Sequence, residues 1–231
     1  VMNKQRESVY ALRRELLEGR IQIDSEEGSQ DLDSREYLMT LAEGHVEAIV
    51  ESHCGEEIEP EDWDIDALRN TFGDLFGLDA DKRSQISIDD TGIDTIERAL
   101  WDTARITYEQ KETAIDKGTL RRIERDIMLQ VVDVQWKDHL YSLDHLKEGI
   151  SLRGYGQRDP LVEYKRESFL MFQAMKERID EDTIKYLWRL RPVATKGEAS
   201  PSQPQLRRST PVSYNELKTA VSPLAAPSST L

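Results

Sequence analysis

Two aspartate–histidine pairs, Asp138–His139 and Asp144–His145, are the residues here that most resemble acid–base machinery. A carboxylate beside an imidazole orients the ring and tunes its basicity. The two histidines are six residues apart, however, which sets them roughly 240° apart around a helix. They do not share a site, and a surface or packing role is expected for each. His53 and Cys54 suggest a metal pair. Neighbours on a helix diverge by about 100°, and no second Cys/His pair accompanies them, so a structural cysteine is expected. Asp62, Asp64 and Asp66 alternate like the start of a calcium loop, but the sixth position is Ala67 and the twelfth Gly73, where such a loop needs Gly and Glu. A solvated helix entry capped by Asp64 or Asp66 is expected instead. There is no glycine-rich phosphate loop ending in Lys-Ser/Thr, no dinucleotide fingerprint and no nucleophile elbow. No catalytic residue, metal site or cofactor is therefore assigned, and the chain by itself is expected not to be an enzyme.

Another chemistry-bearing run is GISLRGYGQRDP, residues 149–160. Gly149, Gly154 and Gly156 permit backbone shapes closed to other residues. Between and after them come Leu152, Arg153, Tyr155 and Arg158, with Lys165 and Arg166 a little further on. Two readings stay open on pattern alone. One is a solvated turn whose Tyr155 and Leu152 fold back onto the helix ends. The other is an apolar-basic tip held out to a partner, since tyrosine joins apolar area to a polar handle.

The flanking segments must position that run. Leu120, Ile123, Ile127, Val131, Val134, Leu140, Leu143, Leu146 and Ile150 recur at spacings of three and four, with a slip near Gln135 and Trp136, and predict a helix over about 119–148. Asp159 and Pro160 restart a helix as N-cap and first residue. Tyr164, Phe169, Phe172, Met175 and Ile179 form its inward face, with Ile184, Leu187 and Trp188 beyond. A short loop between long helices makes them antiparallel neighbours. Upstream, Val9, Leu12 and Leu16 mark a helix over 2–18 that Gly19 stops. With no companion before residue 119, it should pack on the hairpin. Residues 24–34 read as a polar connector. Helices follow at about 35–52 (inward Leu38, Leu41, His45 and Ile49), 66–76 and 91–116 (Ile96, Leu100, Ala104 and Tyr108). Residues 192–231 hold most of the prolines, without periodicity, and read as a disordered tail.

The 231 residues are enough for one or two domains, and 33% of them are charged. No apolar run reaches the ~20 residues of a membrane span. No secretory signal is visible, and an opening Val1 already in helical sequence suggests a piece cut from a longer protein. A single cysteine excludes an internal disulfide framework and fits a reducing compartment. The net charge of −14 is concentrated in residues 20–116, with 27 acidic and 8 basic groups, whereas residues 117–191 hold 13 and 15. So acidic a segment repels phosphate backbones and argues against nucleic acid as a general partner.

The stretches MLQVVDVQWKDHL (128–140), GISLRGYGQRDP (149–160) and EYKRESF (163–169) closely resemble the SecA family. VMNKQRESVY (1–10) and WDID (63–66) do so as well, and the similarity covers about residues 1–190. The resemblance implies an all-α fold: residues 1–19 as the end of a long scaffold helix, 20–116 as a helical wing domain and 117–191 as a two-helix finger. Residues 192–231 would be a linker or tail. It further implies part of a bacterial preprotein-translocation motor. Its ATP and Mg belong to ATPase domains absent from this chain. Its partners are the SecYEG channel, an unfolded preprotein and those ATPase domains, and there is room for a homodimer of the parent protein. Its location is cytoplasmic, peripheral on the inner face of the plasma membrane. Tyr155, with Leu152 and Arg153, is then expected to contact the moving polypeptide, and Arg158, Lys165 and Arg166 the channel or lipid. The alternative is a regulatory scaffold that controls the ATPase domains without touching substrate. The family's zinc-binding Cys/His element finds no match in the tail, which has neither residue.

Overall fold

The structure, a computed structural model, describes residues 1–25, 28–55, 58–86, 88, 92–153 and 159–191, with backbone alone for 24, 25 and 151–153. The expected tail, 192–231, falls outside the described residues. Seven α-helices and one two-stranded sheet are present among them: α1 (Met2–Glu18), β1 (Ile21–Ser25), β2 (Gly28–Leu32), α2 (Ser34–Cys54), α3 (Ile65–Phe76), α4 (Ala80–Ser84), α5 (Ile93–Ala114), α6 (Lys117–Arg153) and α7 (Pro160–Arg189). The fold is all-α apart from that small sheet.

Local chemistry sets the helix ends. Gly19 takes the left-handed conformation (φ 70°) that closes α1, donating its N–H to the Glu15 carbonyl. Asp33 and Glu36 form a reciprocal capping box at α2. Asp64 accepts from the Ala67 N–H at 2.8 Å and starts α3, as the reading of the aspartate run expected. Asp159 accepts from the Leu161 N–H at 2.9 Å, with Pro160 in the first turn of α7. Gly77 ends α3 at φ 64°, where an added Cβ would also lie 2.5 Å from the Arg189 side chain. Only glycine serves that corner.

The connector expected at 24–34 is instead mostly an antiparallel hairpin, with Ile21 opposite Leu32 and Ile23 opposite Gln30. Its strands are largely polar, and β2 (GSQDL) has almost no strand-forming residue. Burial of Ile21 against the helical body holds it in place.

α6 and α7 pack antiparallel. Gln135 on α6 donates to Asp182 on α7 at 2.7 Å, and nearer the end of α6 His139 lies beside Phe172, centroids 5.7 Å apart and rings tilted by 58°. α1 lies on this pair, as expected from its want of a nearer partner. The inward stripes of the hairpin differ from the reading in places. Val134 is 50% exposed, and after the slip Trp136 and His139 take the buried positions. Phe169 is 57% exposed because Ser168, one position round the helix, faces inward. On α5 the expected Ile96, Leu100, Ala104 and Tyr108 are all buried.

One cluster of buried apolar residues runs from the helices of residues 34–114 into the hairpin, joining Leu38, Phe72 and Leu100 to Met128, Ile184 and Trp188. Removing Phe72 from this cluster (Phe72→Ala) is expected to cost about 3–5 kcal/mol. Native-state hydrogen exchange on α3 and α6 should show their slowest amides losing protection together. Loss confined to α3 would contradict a shared core.

Candidate functional site

The hairpin has a base, a strapped middle and a connecting end. At the base the C-terminus of α7 is set among α3, α4 and α5. Trp188 donates its indole N–H to the Ala104 carbonyl at 3.0 Å. Its ring meets Phe76 edge-on at 5.4 Å and Tyr108 at 4.8 Å. The Lys111 amine, on a buried side chain, donates to the Leu187 carbonyl at 2.8 Å and to that of Trp188. Among the last carbonyls of α7, that of Leu187 also accepts the Leu190 N–H at 3.3 Å, and Lys111 adds a donor to it and to that of Trp188. Arg189 adds a bond to the Asp74 carbonyl at 2.7 Å, and Arg191 pairs with Asp79 at 3.1 Å.

A partly buried charge network joins α5, α6 and α2. The fully buried Glu124 accepts from the Tyr108 hydroxyl and from Arg121, which also pairs with Glu112. Arg35 reaches Glu112 from α2 at 2.9 Å. Burial, with Glu124 alongside, pushes the Tyr108 hydroxyl far above its usual range, so it stays a donor. Each acid in the network faces a guanidinium or a phenol, and the Glu124 Oε2 is buried without a hydrogen-bond partner among the described residues.

The middle is held by α1. Gln5 is buried and bonds both helices of the hairpin, through His139 and the Ser168 carbonyl. Arg13 pairs with Asp133 at 2.9 Å on the surface.

At the connecting end, Tyr155 and Arg158 and the side chains of Leu152 and Arg153 lie outside the described residues. The α6 backbone is helical through Arg153, and α7 begins at Pro160. Lys165 and Arg166 are exposed on α7, on the second turn from that end.

The other chemistry-bearing residues separate. His139 is buried on α6 beside Trp136 and Phe172, while His145 is exposed, so the two imidazoles serve different surroundings. Cys54 is buried, and burial raises its thiol pKa. His53 bonds the Thr71 hydroxyl at 3.2 Å instead. Asp66 pairs with Arg69 at 3.4 Å. Among the described residues no group of three or more His, Cys, Asp or Glu is placed to hold a metal, and no helix is long and apolar enough to cross a membrane.

Gln5, Lys111 and Glu124 went unnoticed in the sequence, yet each stands where a stripe calls for an apolar residue. Gln5 precedes Val9 by four positions, Lys111 follows Tyr108 by three, and Glu124 stands between Leu120 and Met128. A polar residue in register with a buried stripe was the available signal.

The chain matches the family model "SecA Wing and Scaffold domain" over residues 1–191. It is 38% identical over 201 residues to a protein translocase subunit SecA of Solibacter usitatus, covering 87% of this chain and 19% of that protein. The SecA of Koribacter versatilis is 42% identical over 195 residues, covering 81% and 18%, and that of Acidobacterium capsulatum 40% over 207 residues, covering 90% and 20%. The chain thus spans about a fifth of the length of these curated relatives.

The Lys111 anchor has a pH signature. Burial, then Lys82 and Arg191 nearby, pull its pKa down to about 7 in the folded protein, against 10.5 for an ordinary lysine. Between these values the unfolded chain holds the extra proton, so stability rises with pH across that window, by up to about 1.4 kcal/mol per pH unit from this group. Urea unfolding from pH 7 to 10 should show that rise for the wild-type chain and lose it in Lys111→Met. Parallel profiles would contradict the assignment.

Proposed function

The chain belongs to the SecA wing and scaffold family, and from that premise we propose that it is the lever of a protein-translocating motor. The observation that carries the proposal is the hairpin with one fixed end. Its base is anchored by Trp188 and Lys111, its middle is strapped by α1, and its connecting run lies at the far end of α6, roughly 55 Å long at 1.5 Å per residue. A packed pair of helices anchored at one end resists bending and delivers a displacement of its base to its tip.

The tip residues suit an unfolded polypeptide. Tyr155 with Leu152 offers apolar area without demanding a sequence, and Arg153 offers donors to passing carbonyls. Arg158, Lys165 and Arg166 suit acidic loops of a membrane channel of the SecYEG type, or anionic headgroups. ATP binding and hydrolysis, with Mg, belong in this reading to the remainder of the longer protein, which drives α1 and the base. The location is then peripheral, at the cytoplasmic face of the membrane, and a homodimer of the longer protein is compatible with it.

A second reading has its own observation. Along the base runs an open, mainly apolar groove of about 480 Å³, bordered by Ile127, Val131, Val134, Tyr186 and Leu190. Such a groove suits a segment of the motor itself, and the hairpin would then set nucleotide turnover without touching substrate.

Tyr155→Ala in the full-length motor separates the two. Loss of one aromatic contact to the polypeptide is expected to lower preprotein transport about ten-fold while ATP turnover without substrate holds. Undiminished transport would contradict the tip contact, and altered ATP turnover with normal transport would favour the regulatory reading.

A further inference from the structure

α1 packs on α6 and buries Val9 and Leu16, with Leu12 half-buried between them. Four residues before Val9 the same stripe holds Gln5, the one polar residue among the buried positions of α1. Burying a primary amide is unfavourable unless its donors and acceptor find partners. Here both ends do. The Gln5 Nε2 donates to the Ser168 carbonyl on α7 at 3.0 Å, and the Gln5 Oε1 faces the His139 Nε2 on α6 at 3.1 Å.

The chemistry of the partners leaves no freedom in this arrangement. A carbonyl only accepts, so the amide nitrogen must face Ser168 and the amide oxygen must face His139. That oxygen only accepts, so His139 carries its proton on Nε2 and donates. Its Nδ1 is buried without a hydrogen-bond partner among the described residues. Burial, then Arg178, lowers the His139 pKa, which keeps the ring in this neutral form. Trp136 and Phe172 lie beside the ring, centroids 5.6 and 5.7 Å from it.

We propose that Gln5 is the register lock of α1, a positioning residue that ties the axial placement of α1 to both helices of the hairpin at once. Val9, Leu12 and Leu16 repeat at three and four residues, so a slide by one turn, roughly 5.4 Å, exchanges one apolar contact for another. The same slide strips Gln5 of both partners and leaves an amide and an imidazole N–H buried and unmet, while the Ser168 carbonyl keeps only its place in the α7 ladder. A buried polar group fixing register within an apolar helix interface is a known use of such residues. A second side-chain pair between α1 and α6, Arg13–Asp133, is half-exposed and contributes little selectivity. α1 therefore has one allowed position on the hairpin while the lock is closed, and opening it is a discrete event rather than gradual bending. The consequence for transport rests on the lever reading; the lock itself does not.

Gln5→Met keeps the length of the side chain and removes both bonds. Spin labels on exposed positions of α1 and α7, introduced as Leu17→Cys and Phe169→Cys, report the axial offset by pulsed dipolar spectroscopy. The wild-type chain is expected to give one narrow distance distribution and Gln5→Met a second population, offset by up to about one 5 Å turn. His139→Phe, which keeps the ring packing and removes half the lock, should show the same population to a smaller extent, and serves if Gln5→Met does not fold. A distribution unchanged in the folded variants overturns the lock. In the full-length motor, Gln5→Met should lower the transport obtained per ATP hydrolysed by about five-fold or more, the lower range of coupling between sites. Transport and ATP turnover that fall in proportion, or do not fall, overturn the coupling role. Tyr155→Ala in the same assays keeps the two ideas apart: normal transport there, with a shifted distribution in Gln5→Met, removes the tip contact and leaves the lock standing.

Discussion

The seating of Trp188 and the C-terminus of α7 in the core of the acidic segment is the constraint on which the other contacts depend. A helix C-terminus presents carbonyls without partners, and burying such an end is costly unless donors reach it. Lys111 reaches the last carbonyls of α7, while Arg189 donates from α7 to the Asp74 carbonyl near the end of α3. Trp188 fills the space between Phe76 and Tyr108. Once the end is planted, α7 has a fixed origin, α6 pairs along it, and α1 has a surface of defined register to lie on.

Polar contacts inside this framework specify position more than they add stability. Glu124, Arg121, Glu112 and Arg35 form a chain across α6, α5 and α2. Buried ion pairs commonly recover little more than their desolvation cost, but removing one member leaves the other exposed to the full penalty. Such a chain tolerates one arrangement of the three helices. Gln5 does the same for α1. Together these groups tie the base and middle of the hairpin to α1, α2 and α5.

Much of this was legible in the sequence, for physical reasons that differ by element. α1 ended where Gly19 said it would, and α7 began on Asp159 and Pro160, because caps and prolines act locally. The stripe on α5 was read correctly because its four residues are apolar and in phase. The β-hairpin was invisible, since its strands are polar and its pairing rests on Ile21 being drawn into a core assembled by distant helices. Val134 and Phe169 were placed inward because apolar residues were assumed to be buried, whereas phase sent Trp136, His139 and Ser168 inward instead. The polar anchors were missed for the mirror reason. The family resemblance, by contrast, needed only the long hairpin motif.

The central claim is that the anchored hairpin carries its tip to the polypeptide being moved. A photoreactive amino acid in place of Tyr155, in the full-length motor stalled on a half-transported preprotein, tests it most directly. The account predicts adducts between position 155 and the preprotein that disappear when the substrate is released. Adducts confined to the motor's own segments, with none to the preprotein, would contradict it.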